Sequence, residues 1–442
     1  MCGSELALAQ SPASAPAAVP AAASSDVDRQ YDAAFQEMLA QPANLDVLFK
    51  FASLASQTGD LEGAVSALER MLLINSELPR VRLELGVLYY RLGSYEVARI
   101  YLESALKSPN LPLEVRNRAQ QFMADVEGKE KPSHFSGDLF LGWRYQSNAN
   151  LGPTTSNVLL FGQIASLNQA AVGATDRGVV SSAQIRHTYD LGRQDKSAIE
   201  TTLSAYVNRQ FTTNVANVTL LDLTSGPRFQ IFNGIFEDVS LKPFFSGGYI
   251  MVNDAPYYGS YGGGIEAAML LSDRLRNTTS FQWRRHDHRD NYYLPTNSQY
   301  RGVEYTGTTS LQFALAANVT VFATGTATRY QTDQTPAQNY SLYGAGGGMS
   351  FRFADPVLKT TLPWSITLSV TENWWSYDAP DVQVDPNTFR QQIDTIASVT
   401  FAIPFDDRTT FSITGGRFVR QATLANYAFE NNSVMFGIGW RF

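Results

Sequence analysis

The sequence predicts an α + β chain of two domains: an N-terminal all-α domain of helical repeats, then a transmembrane antiparallel β-barrel of about 14 strands. Three observations predict it. Before position 130, self-similarity recurs at an offset of 34 residues. After position 136, a two-residue hydrophobic period replaces the helical one. The composition combines 12% aromatic with only 17% charged residues, and no apolar run approaches 18 residues. Hydrophobicity spread over alternate positions is the mark of barrel strands, not of membrane helices.

Composition narrows the function as well. The 442 residues carry a net charge of −7 without a basic run, so there is no electrostatic footprint for nucleic acid. A single cysteine, Cys2, excludes a disulfide framework and a cysteine-based metal site. Mean hydropathy is −0.18, which argues against a helical membrane protein.

Residues 1–25 form the first segment. Leu6-Ala7-Leu8-Ala9 reads as the tail of a secretory signal peptide, although no basic region precedes it. Residues 11–25 are Ala/Pro/Ser-rich and read as a disordered linker. Cys2 has no lipobox upstream, so an incidental thiol is the plainer reading than a lipidated one.

Residues 26–130 hold the repeats. Ala52, Gly59, Ala64 and Leu68 align with Gly86, Gly93, Ala98 and Leu102, and the 34-residue offset resembles the tetratricopeptide period. Small Gly86 and Ala98 let the two helices of a repeat approach, while Leu85, Tyr89 and Leu102 fill the seam. Gly59 and Gly93 fall where a helix C-cap is expected. Flanking helices near 27–40 and 112–127 cap the array. Arg82, Tyr90 and Arg91 are candidates for a binding groove, with solvated helix residues as the competing reading.

Residues 136–442 read as the barrel. Leu139, Leu141, Trp143 and Tyr145 share one face against Asp138, Gly142, Arg144 and Gln146. Strand centres fall near 141, 183, 204, 224, 244, 265, 283, 306, 323, 347, 369, 396, 415 and 436. Short turns (192–195, 273–276, 404–407) alternate with longer loops (148–176, 290–299, 331–339, 377–388), the asymmetry of an outer-membrane barrel. The last strand presents Phe436, Trp440 and Phe442, similar to the terminal signal read by the outer-membrane assembly machinery. An even strand number puts both ends of the sheet, and hence the helical domain, on the periplasmic side.

Fourteen strands enclose a lumen wider than one filled by its own side chains. The polar residues expected to face it are Arg144, Gln282, Arg284, His286, Glu304 and Gln312. Gly262-Gly263-Gly264 and Gly346-Gly347-Gly348 mark a bend, a close backbone approach or conformational slack. His286-Asp287-His288 with Asp290 has a metal-like look, but on a strand only the two histidines share a face, fewer ligands than zinc takes. Ser280 and His286 are too far apart along one strand for a catalytic dyad. No catalytic constellation, cofactor site or metal site emerges, and the chain reads as a non-enzyme.

A short tetratricopeptide domain running into a barrel that opens Gly142-Trp143-Arg144-Tyr145-Gln146-Ser147-Asn148-Ala149-Asn150 resembles the Slam family of surface lipoprotein assembly modulators. Gln146 and Ala149 depart from the first-strand pattern of such barrels. The resemblance implies an outer-membrane translocon that moves a client lipoprotein or related protein to the cell surface, the repeats engaging it in the periplasm. Its implied partners are the lipid bilayer, the barrel assembly machinery and the client. A polysaccharide exporter of the repeat–barrel type and a substrate-selective porin stay open as alternatives.

Overall fold

In the computed structural model, residues 24–108, 111–193, 197–231, 237–357 and 361–442 are described. The signal-like start, Cys2, most of the linker, and Gln194 and Asp195 of one short turn lie outside them. The chain divides into two compact units, helical up to Pro132 and barrel from Ser133.

The helical unit runs α1 (Ser24–Ala40), α2 (Leu45–Thr58), α3 (Leu61–Ile74), α4 (Pro79–Arg91), α5 (Tyr95–Leu106) and α6 (Leu113–Glu130). Local chemistry sets these limits. Asn44 accepts from the Asp46 backbone N–H to start α2, Asp60 accepts from that of Gly63 to start α3, and Pro79 opens α4. Gly59 (φ 93°) and Gly93 (φ 76°) take the left-handed conformation that ends α2 and α4, which side chains with a Cβ rarely adopt. Leu48, Ala55, Ala64, Leu68 and Leu85 are buried in one core cluster, and Leu83, Ala98, Leu102 and Val126 in a second. A Cβ on Gly86 would lie 2.7 Å from Leu102 Cγ, so the α4–α5 seam closes only over a glycine.

The barrel strands are β1 (Ser133–Gln146), β4 (Asp176–Asp190), β5 (Ala198–Gln210), β6 (Val218–Ile231) and β7 (Glu237–Val252). Next come β8 (Ala255–Ser272), β9 (Leu275–His288), β10 (Gly302–Ala316), β11 (Val319–Thr332) and β12 (Tyr340–Phe353). The last four are β13 (Trp364–Tyr377), β14 (Gln391–Pro404), β15 (Thr409–Ala422) and β16 (Phe429–Arg441). Each pairs antiparallel with its neighbours, and β1 closes on β16. All fourteen expected strand centres fall inside these strands. The barrel starts at Ser133, three residues before the expected 136.

The register sorts the two faces. Leu139, Leu141, Trp143 and Tyr145 pair with Trp440, Ile438, Phe436 and Val434, and all eight are exposed. They belong to an outward apolar belt with aromatic residues, the surface a bilayer covers. Among the described residues no helix is long and apolar enough to cross a membrane.

The long loops lie at one end and the chain's entry into β1 at the other. The loop after β1 carries a hairpin, β2 (Asn157–Leu160) and β3 (Gln163–Ser166). Two connections depart from the expected asymmetry. At the long-loop end, β7 and β8 are joined by Asn253-Asp254 alone, both at positive φ (52° and 59°), the geometry of a tight type I′ hairpin. At the opposite end, positions 354–363 separate β12 from β13.

The glycine runs answer to close packing. A Cβ on Gly264 would meet the Phe244 ring at 2.7 Å, and one on Gly348 the Phe322 ring at 2.4 Å. Phe140 lies over Gly437 and Gly142 in the same way. Inward phenylalanines therefore lie flat over glycines on adjacent strands.

Candidate functional site: the lumen wall

The pairing parity places all six expected polar residues on the inner face. Gln282, Arg284 and His286 lie on β9, opposite Thr306, Glu304 and Gly302 of β10. Arg284, His286 and Glu304 come together: His286 Nε2 is 4.0 Å from Glu304 Oε1, and Arg284 Nη1 pairs with Asp222 of β6. The Gln282 amide lies 3.0 Å from Ser246 Oγ. Arg144 sits apart on β1, its Nη2 buried without a hydrogen-bond partner. Gln312 faces inward near the terminal end of β10, opposite Arg276 and Phe322.

Sequence reading missed two further charge networks. On β5–β8, Arg228 donates from Nε to Glu200 (2.8 Å) and from Nη2 to Glu266 (2.6 Å), while Lys242 Nζ is 3.2 Å from Glu200. On β14–β15, Arg420 pairs with Asp394 at 2.6 Å through both Nε and Nη2, and Trp375 Nε1 donates to the same carboxylate at 3.1 Å. The two-residue period held the signal: Arg228, Lys242 and Glu266 sit at inward parity, beside Pro227, Pro243 and Ile265, which face out. These pairs join residues on different strands, 26 to 42 positions apart, so their partners were not legible.

Near the long-loop end the inner wall is aromatic. Tyr258, His286, His288, Tyr330, Tyr340, Trp375 and Tyr377 form a continuous chain of ring contacts, with centroids 4.6–5.6 Å apart along it. His286 and His288, the two histidines that share a strand face, are part of this chain of rings. His288 Nε2 lies 3.3 Å from the Tyr330 hydroxyl, and outward-facing Asp287 pairs with Arg301 at 2.8 Å. Asp290 accepts from the Ser298 backbone N–H and hydroxyl, which hold its carboxyl below the usual range. No group of three ligand-type side chains that could hold a metal occurs among the described residues.

A serine–histidine contact does occur, at another place. Ser133 Oγ lies 2.6 Å from His187 Nε2, two residues 54 apart in sequence that the β1–β4 pairing brings together. His187 stacks on Phe135, and no described carboxylate is hydrogen-bonded to it.

In the helical unit, the three groove candidates serve packing. Arg82 donates to the Ser76 carbonyl (2.6 Å), Arg91 to Ser56 Oγ (2.6 Å), and the Tyr90 ring packs on Tyr95 and Phe122. At the seam, Leu85, Ala98 and Leu102 are fully buried. Tyr89 stacks on Tyr101 at 5.5 Å, and both hydroxyls donate to Glu69. Burial, then that hydrogen bond, push the Tyr89 hydroxyl up to about 12.

On the terminal strand, Phe436 faces out beside Trp143, and Trp440 stacks on Phe442 at 5.1 Å. Phe442 exchanges two backbone hydrogen bonds of 3.0 Å with Gly137.

No protein-family model matches the chain, and no curated protein does either. Among solved structures, the barrel is similar to an anion-selective porin from Comamonas acidovorans (10% identity, 70% of this chain and 99% of that one, TM-score 0.36). It is similar also to OmpT, an outer membrane protein of Vibrio cholerae (8% identity, the same coverages, TM-score 0.38). The helical part is similar to the type III secretion chaperone SycD of Yersinia enterocolitica, solved with a peptide of the translocator YopD (11% identity, 25% of this chain and 86% of that one, TM-score 0.23). At these scores the likenesses carry no argument, and the architecture rests on the hydrogen-bonded registers of the chain itself. Those registers describe a tetratricopeptide-like helical unit followed by a closed fourteen-stranded barrel of the outer-membrane type.

Proposed function

We propose that the chain is an outer-membrane translocon, in which the helical repeats engage a client polypeptide in the periplasm and the barrel carries it, or part of it, toward the cell surface. The carrying observation is the covalent order: a helical unit with two complete cores of its own runs straight into a barrel whose inner wall bears both charge signs. Mixed, hydrogen-bonded lumen charges suit a path for a polypeptide, which presents both signs in turn. They suit less a polyanion exporter, which calls for one dominant sign. The Slam resemblance of the first barrel strand agrees with this reading. A surface lipoprotein or related protein is the expected client.

Photo-crosslinking in living cells tests it. A crosslinker at exposed Lys50 or Arg116 of the helical unit and another at Arg284 in the lumen are expected to capture one and the same polypeptide. Capture of unrelated proteins at the two places, or of none at Arg284, contradicts the reading.

A further inference from the structure

The residues left unused by the charge networks meet at the long-loop end of the wall. Arg390, the last residue before β14, is 7% exposed, and Gln392, two residues on and facing inward, is 2% exposed. The Arg390 guanidinium lies between two rings, 4.3 Å from the Tyr377 centroid and 3.6 Å from that of Tyr427. Two aromatic rings thus pack on the cation. Arg390 Nε and Gln392 Nε2 are both buried donors without a partner among the described residues.

The neighbouring carboxylates are already engaged. Asp394 is held by Arg420 and Trp375. Asp381 accepts from the Gln383 backbone N–H at 3.0 Å and from Gln338 Nε2 at 3.3 Å. Arg390 forms no ion pair with any described residue. Two buried donors left without acceptors, one of them on a guanidinium, are unfavourable unless a hydrogen-bond acceptor fills the gap.

The surroundings hold this place rigidly. Asn426, beside Tyr427, exchanges hydrogen bonds with the Leu159 backbone (2.9 and 2.8 Å). The tip of the same hairpin donates from Phe161 and Gly162 to the carbonyls of Gln383 and Val384. The β2–β3 hairpin therefore straps the loop carrying Tyr427 to the loop carrying Arg390.

We propose that Arg390 and Gln392 form a binding site for a small oxyanion, a carboxylate or phosphate group, at the long-loop end of the lumen. Tyr377 and Tyr427 fix the guanidinium plane, its edge gives two parallel N–H donors to the oxyanion, and Gln392 gives a third. This site is independent of the translocation reading and would serve a conducting barrel equally well.

Calorimetric titration of the full chain in detergent, with sodium succinate and with inorganic phosphate as probes at matched ionic strength, tests it. Saturable binding of either probe is expected, weakened tenfold or more in Arg390→Gln and several-fold in Gln392→Leu. Should Arg390→Gln fail to fold, the Gln392→Leu titration still decides. Absence of saturable binding by both probes, as a site filled by water alone would give, overturns the proposal. So does binding that neither substitution weakens.

Discussion

Arg284 on β9 reaches past two intervening strands to pair its Nη1 with Asp222 on β6, and it crosses above Gly248. A Cβ on Gly248 would lie 2.8 Å from Ser260 Oγ, 3.2 Å from Asp222 Oδ2 and 3.3 Å from Arg284 Nη1. The glycine keeps the bridge's path clear. Gly248→Val is therefore expected to break the pair, at about 2 kcal/mol for a lost charged hydrogen bond. Its measure is a lower temperature for the heat-modifiable shift of the folded barrel on gels. Asp222→Asn leaves Arg284 unpaired in the lumen, and the reversal potential in a salt gradient is expected to move toward anion preference.

In the helical unit Gly86 packs directly against the Leu102 side chain. Gly86→Val places two methyl groups where Leu102 Cγ and Cδ2 already sit, and overpacking of this kind costs about 2 kcal/mol. For a helical unit of this size the melting transition followed at 222 nm should fall by roughly 10 °C. A melt unchanged by Gly86→Val would contradict the packing described for the α4–α5 seam.

The Tyr89 hydroxyl gives the unit an alkaline limit. Its value rises from 10.0 to about 12 because burial and donation to Glu69 favour the neutral form. The contribution is complete below pH 10, where folded and unfolded chains are both protonated, and it is lost as pH rises from 10 to 12. Stability of the helical unit should decline across that window. In Tyr89→Phe, denaturant titrations at stepped pH should show a shallower decline, the remainder coming from Tyr101 and Tyr31, whose hydroxyls are also raised.

Phe442 closes the last rung between β16 and β1, through its two backbone bonds to Gly137 and its stack on Trp440. Deleting it shortens the ladder on the seam that completes the barrel. The expected result is less heat-modifiable protein in the outer-membrane fraction, with wild-type amounts sinking the terminal-strand reading.

How much of this was legible beforehand follows from what each feature depends on. Strands announced themselves through a local two-residue period, so even the inward parity of Gln282, Arg284, His286 and Glu304 was readable. The 34-residue offset exposed Gly86 and Ala98 as the small residues of the seam and Leu102 as one that fills it, because repeats put distant contacts into register. Arg82, Tyr90 and Arg91 stayed open between a groove and a solvated helix face, since polar side chains on a helix give no sign of whether a neighbouring helix end takes up their donors. The Ser133–His187 contact and the Arg228 and Arg420 networks join residues whose proximity exists only once the strands are paired. Nothing local marks Arg390, whose ring contacts come from Tyr377 and Tyr427, on two other segments.

Delivery of a client to the cell surface is tested by comparing surface proteomes after protease shaving of intact wild-type and deletion cells. One or a few surface proteins are expected to disappear from the shaved fraction and accumulate inside the deletion strain, with recovery on complementation. A surface proteome unchanged by the deletion would contradict it.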